Sequence, residues 1–310
     1  MLKKLFAVLF AAAVVFGAGR LYFQSRDPGT AASEYMTPSD RMMTIAGANV
    51  RVRIEGPADA PPLILLHGFI YSLETWDAWA EALKADYRVI RFDLLGHGLS
   101  GPDPKKRYSP QERADFLVDV MNALDVERAV VGGNSLGGLA AWRFAAANPS
   151  RVSALVLVSP GAYPTNGVGD TPLSPPAPMA LFLRTAPDVG VAATLGNIYF
   201  DKSYVTPEKI ALVRDMMRQP GNGDAYVQSI EEFSLPDPEP LLSSISAPTL
   251  ILWGKQDAVI PVGHGERMTA VIPNSELISY ENVGHVAQEE AANQTIADVK
   301  AFLTSIEAKG

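Results

Sequence analysis

Gly133-Asn134-Ser135-Leu136-Gly137-Gly138 decides how this chain is read. The apolar run Ala129-Val130-Val131-Gly132 leads into it. The run 139–147 (LAAWRFAAA) leads out, and Pro149 stops it. The pattern predicts strand, sharp turn and helix, with Ser135 at the apex beside a helix N-terminus. Gly133 and Gly137 flank the serine at two residues' distance, where Cβ atoms on strand and helix would collide. A Gly-x-Ser-x-Gly match alone decides little. It gains weight from the strand before it, the helix after it and the partners downstream.

Around this turn the sequence alternates apolar strands with helical runs. Residues 43–45 and 50–54 straddle Ala46-Gly47-Ala48-Asn49 and predict a hairpin at a sheet edge. Residues 63–66, 88–92, 129–132 and 154–158 read as strands, and 73–83 and 109–124 as helices. Ser109-Pro110-Gln111-Glu112 supplies the capping chemistry of the second helix. Such alternation predicts an α/β fold with a mostly parallel sheet and helices on both faces. Ligands bind at the C-terminal strand ends of such sheets, where His67, Asp93, Ser135 and Pro160 all fall. A proline-rich loop and helical stretches at 207–218 and 224–233 then interrupt the rhythm. It resumes with strands at 248–253 and 275–280 and a last helix at about 289–306. We therefore divide the chain into a core of residues 41–161 and 243–310 and an inserted helical cap of residues 162–242.

The N-terminus is of another kind. Lys3 and Lys4 precede the apolar residues 5–16, and the apolar stretch ends at Gly19. Residues 1–27 read as an export signal or a membrane anchor through residues 5–19, and residues 28–40 as a tether. The expected location is periplasmic or otherwise extracytoplasmic, either anchored by the N-terminus or released after cleavage. Among 310 residues the net charge of −8, without a basic cluster, argues against nucleic acid as a partner. The absence of cysteine excludes thiolate nucleophiles, thiolate metal sites and disulfides.

A serine hydroxyl needs a base within reach, and the base needs an acid to fix its tautomer. The chain has four histidines. His67 and His97 precede the elbow in glycine turns. His264 and His285 follow it, and His285 stands in a loop between the last strand and the last helix, where a base can reach over the sheet. Asp257, just after the strand 248–253, is the leading acid, and Asp93 is its rival.

The order Ser135, Asp257, His285 resembles that of the α/β-hydrolases. The resemblance spans about residues 40–305. It includes the His67-Gly68-Phe69 turn, the glycine turn 93–100, the elbow, the loop 253–261 and Gly284-His285. It implies Ser135 as nucleophile, His285 as general base and acid, and Asp257 as the residue orienting His285. It also implies an oxyanion hole from the backbone N–H groups of Phe69 and Leu136, with no metal or organic cofactor. The cap is expected to select the substrate, with Phe182, Leu183, Ile198, Tyr199, Phe200 and Met216 as apolar candidates.

Ester hydrolysis of a small molecule with an apolar acyl group, as by a carboxylesterase or lipase, is the expected reaction. The sharpest alternative is carbon–carbon hydrolysis of ring meta-cleavage products, because Asn134 is similar to the elbow of that subfamily. Against it, Val286 stands where those enzymes usually carry tryptophan, and the loop 67–70 lacks their glycine-rich sequence. The arginine they need for the dienoate carboxylate has only Arg184 as a candidate. Thioester, lactone, perhydrolase and amide chemistry share the same triad. A non-catalytic ligand-binding relative is the alternative of a different class.

Overall fold

The computed structural model describes residues 34–165 and 167–308. The proposed signal or anchor, residues 1–27, lies outside them. Among the described residues no helix is long and apolar enough to cross a membrane.

The eight strands are β1 (Asp40–Ile45), β2 (Ala48–Glu55), β3 (Pro62–Leu66), β4 (Arg88–Phe92), β5 (Ala129–Asn134), β6 (Val152–Val158), β7 (Thr249–Gly254) and β8 (Ser275–Tyr280). They form one sheet in the order β1-β2-β4-β3-β5-β6-β7-β8. β2 runs antiparallel to β1 and to β4, and every other pairing is parallel. The predicted α/β class and edge hairpin are both present.

The period-two alternation of strand side chains sorts the apolar runs onto two faces. Ile64, Leu66, Val131, Leu155, Leu157 and Ile251 join one core cluster. It is covered by Phe116 and Leu117 of α2 (Pro110–Ala123), Leu139 and Trp142 of α3 (Leu136–Ala147) and Met268 of a later helix, Gly263–Val271. Leu63, Leu65, Val130, Val156, Leu250 and Leu252 face the other way, against Trp79 and Leu83 of α1 (Asp77–Leu83) and Val299 and Phe302 of the last helix, Ala292–Glu307. Helix α2 begins with the expected capping box between Ser109 and Glu112, with Pro110 at its first position.

Two helices arise where the sequence suggested only loop. Between β6 and β7 run α4 (Ala177–Thr185), α5 (Asp188–Ile198), α6 (Pro207–Met217) and α7 (Asn222–Glu231). The last two were expected. The prolines at 172–178 mask α4, although Pro178 stands in its first turn, where its missing N–H costs nothing, and Pro187 stands at the N-cap of α5. These helices share a third cluster with Ile70, Tyr71 and Val286 of the core. The single last helix expected at 289–306 is instead a short turn, Ala287–Glu290, followed by Ala292–Glu307.

The end of the expected tether is bound into the body. Asp40 opens β1 with its side chain buried between Arg51 and Arg53, and the Tyr35 carbonyl accepts from Arg51 Nη2 at 2.6 Å. The alternation of β2 gives no hint of this. Arg51 has no exposed surface and Arg53 is 5% exposed. Both are held by acidic partners that include Asp40 and Glu74.

Candidate functional site

The elbow forms as the glycine spacing requires. Ser135 has φ 53° and ψ −113°, a conformation strained for a residue with a side chain. Its backbone is held on three sides. Its N–H donates to the Val158 carbonyl at 3.1 Å, and its carbonyl accepts from Leu139 N–H at 2.9 Å and Gly161 N–H at 3.0 Å. A Cβ on Gly133 would lie 2.4 Å from the Gly137 carbonyl oxygen, and one on Gly137 would lie 2.4 Å from that of Leu66. Neither position has room for alanine.

Asp257 and His285 meet as predicted. His285 Nδ1 lies 2.8 Å from Asp257 Oδ2, and both residues are buried. Asp257 Oδ1 accepts from the N–H groups of Val259 and Ile260, each at 2.8 Å. A carboxylate so placed is an acceptor only, so His285 carries its proton on Nδ1 and leaves Nε2 free to take one. His285 and Ser135 line one cavity of about 220 Å³. His264 does not line it. That ring stands edge-on to Tyr163 and its pKa is lowered, first by burial and then by the charge of Arg267.

Asp93 is a brace. Its oxygens accept from Leu73 N–H and Leu99 N–H, each at 2.8 Å, and Oδ2 lies 3.4 Å from Arg51 Nη1.

The turn 67–69 is fixed by a neutral histidine. Burial lowers the pKa of His67 to about 4. Leu94 N–H donates to its Nε2 at 2.9 Å, so Nδ1 carries the hydrogen and donates to the Gly68 carbonyl at 2.8 Å. No peptide bond among the described residues is cis. In a trans peptide the N–H opposes the C=O. With the Gly68 carbonyl held on the His67 side, the N–H of Phe69 points the other way. Phe69 lines the cavity; Leu136 is not among its lining residues. Leu136 packs its side chain into the core, and as the first residue of α3 its N–H has no acceptor within the helix.

Most of the remaining lining is apolar, with Ile70, Met179, Phe182, Leu183, Ile198 and Val259, and Tyr71, Thr194 and Asn197 add uncharged polar groups. Three of the six candidates, Phe182, Leu183 and Ile198, are there. Tyr199 instead donates to Glu289 at 2.6 Å, Phe200 is 44% exposed, and Met216 is buried elsewhere. Arg184, the candidate carboxylate binder, is not in the cavity. It pairs with Asp224 at the surface, with half its side chain exposed. No lysine or arginine lines the cavity among the described residues.

Sequence reasoning missed the work of Asn134. Its Nδ2 donates to the Val158 carbonyl at 3.0 Å and to the His285 carbonyl at 3.1 Å, so it ties the elbow to the histidine loop. Asn134 also lines the cavity beside Ser135. Among the described residues no group of three or more His, Asp or Glu side chains is placed to hold a metal.

Comparison with known proteins agrees with this geometry. The sequence model of the alpha/beta hydrolase family matches residues 63–299. A 2-hydroxy-6-oxononadienedioate/2-hydroxy-6-oxononatrienedioate hydrolase of Paraburkholderia xenovorans is 32% identical over 79% of this chain and 87% of its own length. The structure of a meta-cleavage product hydrolase, CumD A129V, superposes with a TM-score of 0.75 at 25% identity, over 86% of this chain and 98% of that one. A structure described as a membrane phospholipase A, a bacterial virulence factor, superposes with a TM-score of 0.73 at 25% identity, over 99% of both chains. The name of the curated relative favours the carbon–carbon alternative over the ester hydrolysis expected from the sequence. Fold, chain order and family match agree at the coarser level: this chain is a hydrolase and belongs to the alpha/beta hydrolase family.

Proposed function

We propose that the chain hydrolyses carboxylic esters of apolar acyl groups through an acyl-enzyme on Ser135. The observation that carries this reading is the mostly apolar, uncharged lining of a cavity without lysine or arginine. His285 Nε2 takes the Ser135 proton as the hydroxyl oxygen attacks the acyl carbonyl. The oxyanion is held by the N–H groups of Phe69 and Leu136, each worth about 3 kcal/mol in the transition state. His285 returns the proton to the leaving alcohol, then activates water to release the acid and restore Ser135. Residues 162–242, as the cap, select the acyl group.

Carbon–carbon hydrolysis is the second reading, and the name of the Paraburkholderia relative and the CumD fold favour it. A nonadienedioate carries two carboxylates. Burying such charges without a cationic partner is strongly unfavourable, and Arg184, already paired with Asp224, does not supply one. We therefore expect kcat/KM for p-nitrophenyl esters, measured from acetate to palmitate, to peak at an intermediate or long chain and to exceed that for a 2-hydroxy-6-oxo-dienoate at least 100-fold. Faster cleavage of the dienoate would replace the first reading by the second.

The reading extends to location. Lys3 and Lys4 followed by an apolar stretch support export and attachment through residues 5–19. After cell fractionation the full chain should stay with membranes through a carbonate wash, and residues 28–310 should be soluble. Full-length protein in the soluble fraction would contradict attachment.

A further inference from the structure

The loop that carries His285 is held from two directions. From the core, Asp257 holds the ring and Asn134 holds the His285 carbonyl. From the inserted helices, the Ile198 carbonyl at the end of α5 accepts from His285 N–H at 2.8 Å. One side chain completes the second attachment. Glu290 Oε2 accepts from Gly284 N–H at 2.6 Å, and its Oε1 accepts from Asp201 N–H; the backbone N–H of Phe200 also bonds to this carboxylate. Loop and inserted segment are in backbone contact here: a Cβ on Gly284 would lie 2.4 Å from the Ile198 carbonyl oxygen and 2.7 Å from Phe200 N.

We propose that Glu290 is a positioning residue, clamping the His285 loop to the segment after α5 so that the seating of the cap sets the position of the base. The inference rests on the reading of His285 as base. A carboxylate suits the task because both its oxygens accept, and the clamp needs one acceptor for each side. Glutamine has the same shape but only one acceptor oxygen. Its amide would set a donor against the N–H groups of one side, and that side of the clamp would open. A shift of about 1 Å at a reacting group is enough to cost roughly 100-fold in rate.

The test is the second-order rate of Ser135 labelling by a fluorophosphonate, which needs no knowledge of the substrate. Glu290→Gln should label at least tenfold more slowly than wild type. For any ester the wild type turns over, kcat should fall with it while KM stays within twofold. A merely structural fault would move KM and the melting temperature as well. The inserted segment is probed separately at Asp201, whose φ of −80° suits proline. Asp201→Pro removes one of the two N–H groups of this segment that Glu290 binds, whereas Asp201→Ala keeps it and removes only the side chain that caps the next turn. Proline should label at least fivefold more slowly than alanine. Labelling of Glu290→Gln within twofold of wild type would overturn the proposal. Equal rates for the two Asp201 variants would overturn the part that involves the cap. A wild type that labels no faster than a surface serine would instead remove the base itself, and the clamp with it.

Discussion

Asp257→Asn should leave the fold intact and lower kcat about 10⁴-fold. The local structure explains both halves of that result. Asp257 Oδ1 accepts from the N–H groups of Val259 and Ile260, and an asparagine oxygen accepts equally well, so the loop keeps its shape. The amide nitrogen then faces His285 Nδ1, where the carboxylate oxygen Oδ2 stood at 2.8 Å. Two donors cannot share that contact. His285 must move its proton to Nε2, the nitrogen that has to receive one from Ser135. The comparison is kcat for wild type and variant on the best ester, with thermal melts to verify folding. A kcat within tenfold of wild type would move the acid role away from Asp257.

Arg51→Met should cost about 3–5 kcal/mol of stability, the usual penalty for removing one partner of a buried ion pair. Arg51 is fully buried and reaches Glu74 at 2.6 Å, Asp40 at 3.2 Å and Asp93 at 3.4 Å. Methionine fills part of the volume and leaves three carboxylates without this charge. The deficit should depend on pH. Burial raises the Asp93 carboxyl to about 6, against the pull of Arg51. Its folded pKa thus lies above the unfolded value, so its ionisation costs stability as pH rises through about 4 to 6. Asp40 behaves oppositely: burial raises its pKa, but hydrogen bonds from Arg53 and the Thr37 N–H and the charge of Arg51 together bring it down to about 2. Its contribution is present above about pH 4 and is lost as pH falls through 2. Without Arg51 the ionised forms of both are less favoured, so urea unfolding should show a larger deficit at pH 7 than at pH 5. A deficit below 1 kcal/mol at pH 7 would contradict this account of β1 and β2.

The sequence exposes what depends on local geometry. The strand runs, the elbow glycines, Asp257 after a strand and His285 before a helix all declare themselves through neighbours a few residues away. The structure brings Asp257 and His285 into contact and sets Ser135 in the same cavity as His285. What depends on packing across distant segments is silent. Arg51 and Arg53 look like the solvent face of an edge hairpin, yet partners 11 to 42 residues away draw them inside. Helices α4 and α5 are masked by prolines, although one of those prolines opens a helix. Which side chains between β6 and β7 turn toward Ser135 follows from the seating of four helices, so Met179 and Ile230 enter the cavity while Met216 does not. Asn134 reads as a mark of one subfamily, and in three dimensions it is a tie between two loops.

The central claim is best tested by hydrolysis of p-nitrophenyl octanoate by the wild-type protein and by Ser135→Ala at equal concentration. The account predicts saturable turnover in the wild type and a loss of at least 1,000-fold in the variant. A folded wild type without turnover, or a variant that keeps its rate, would contradict it.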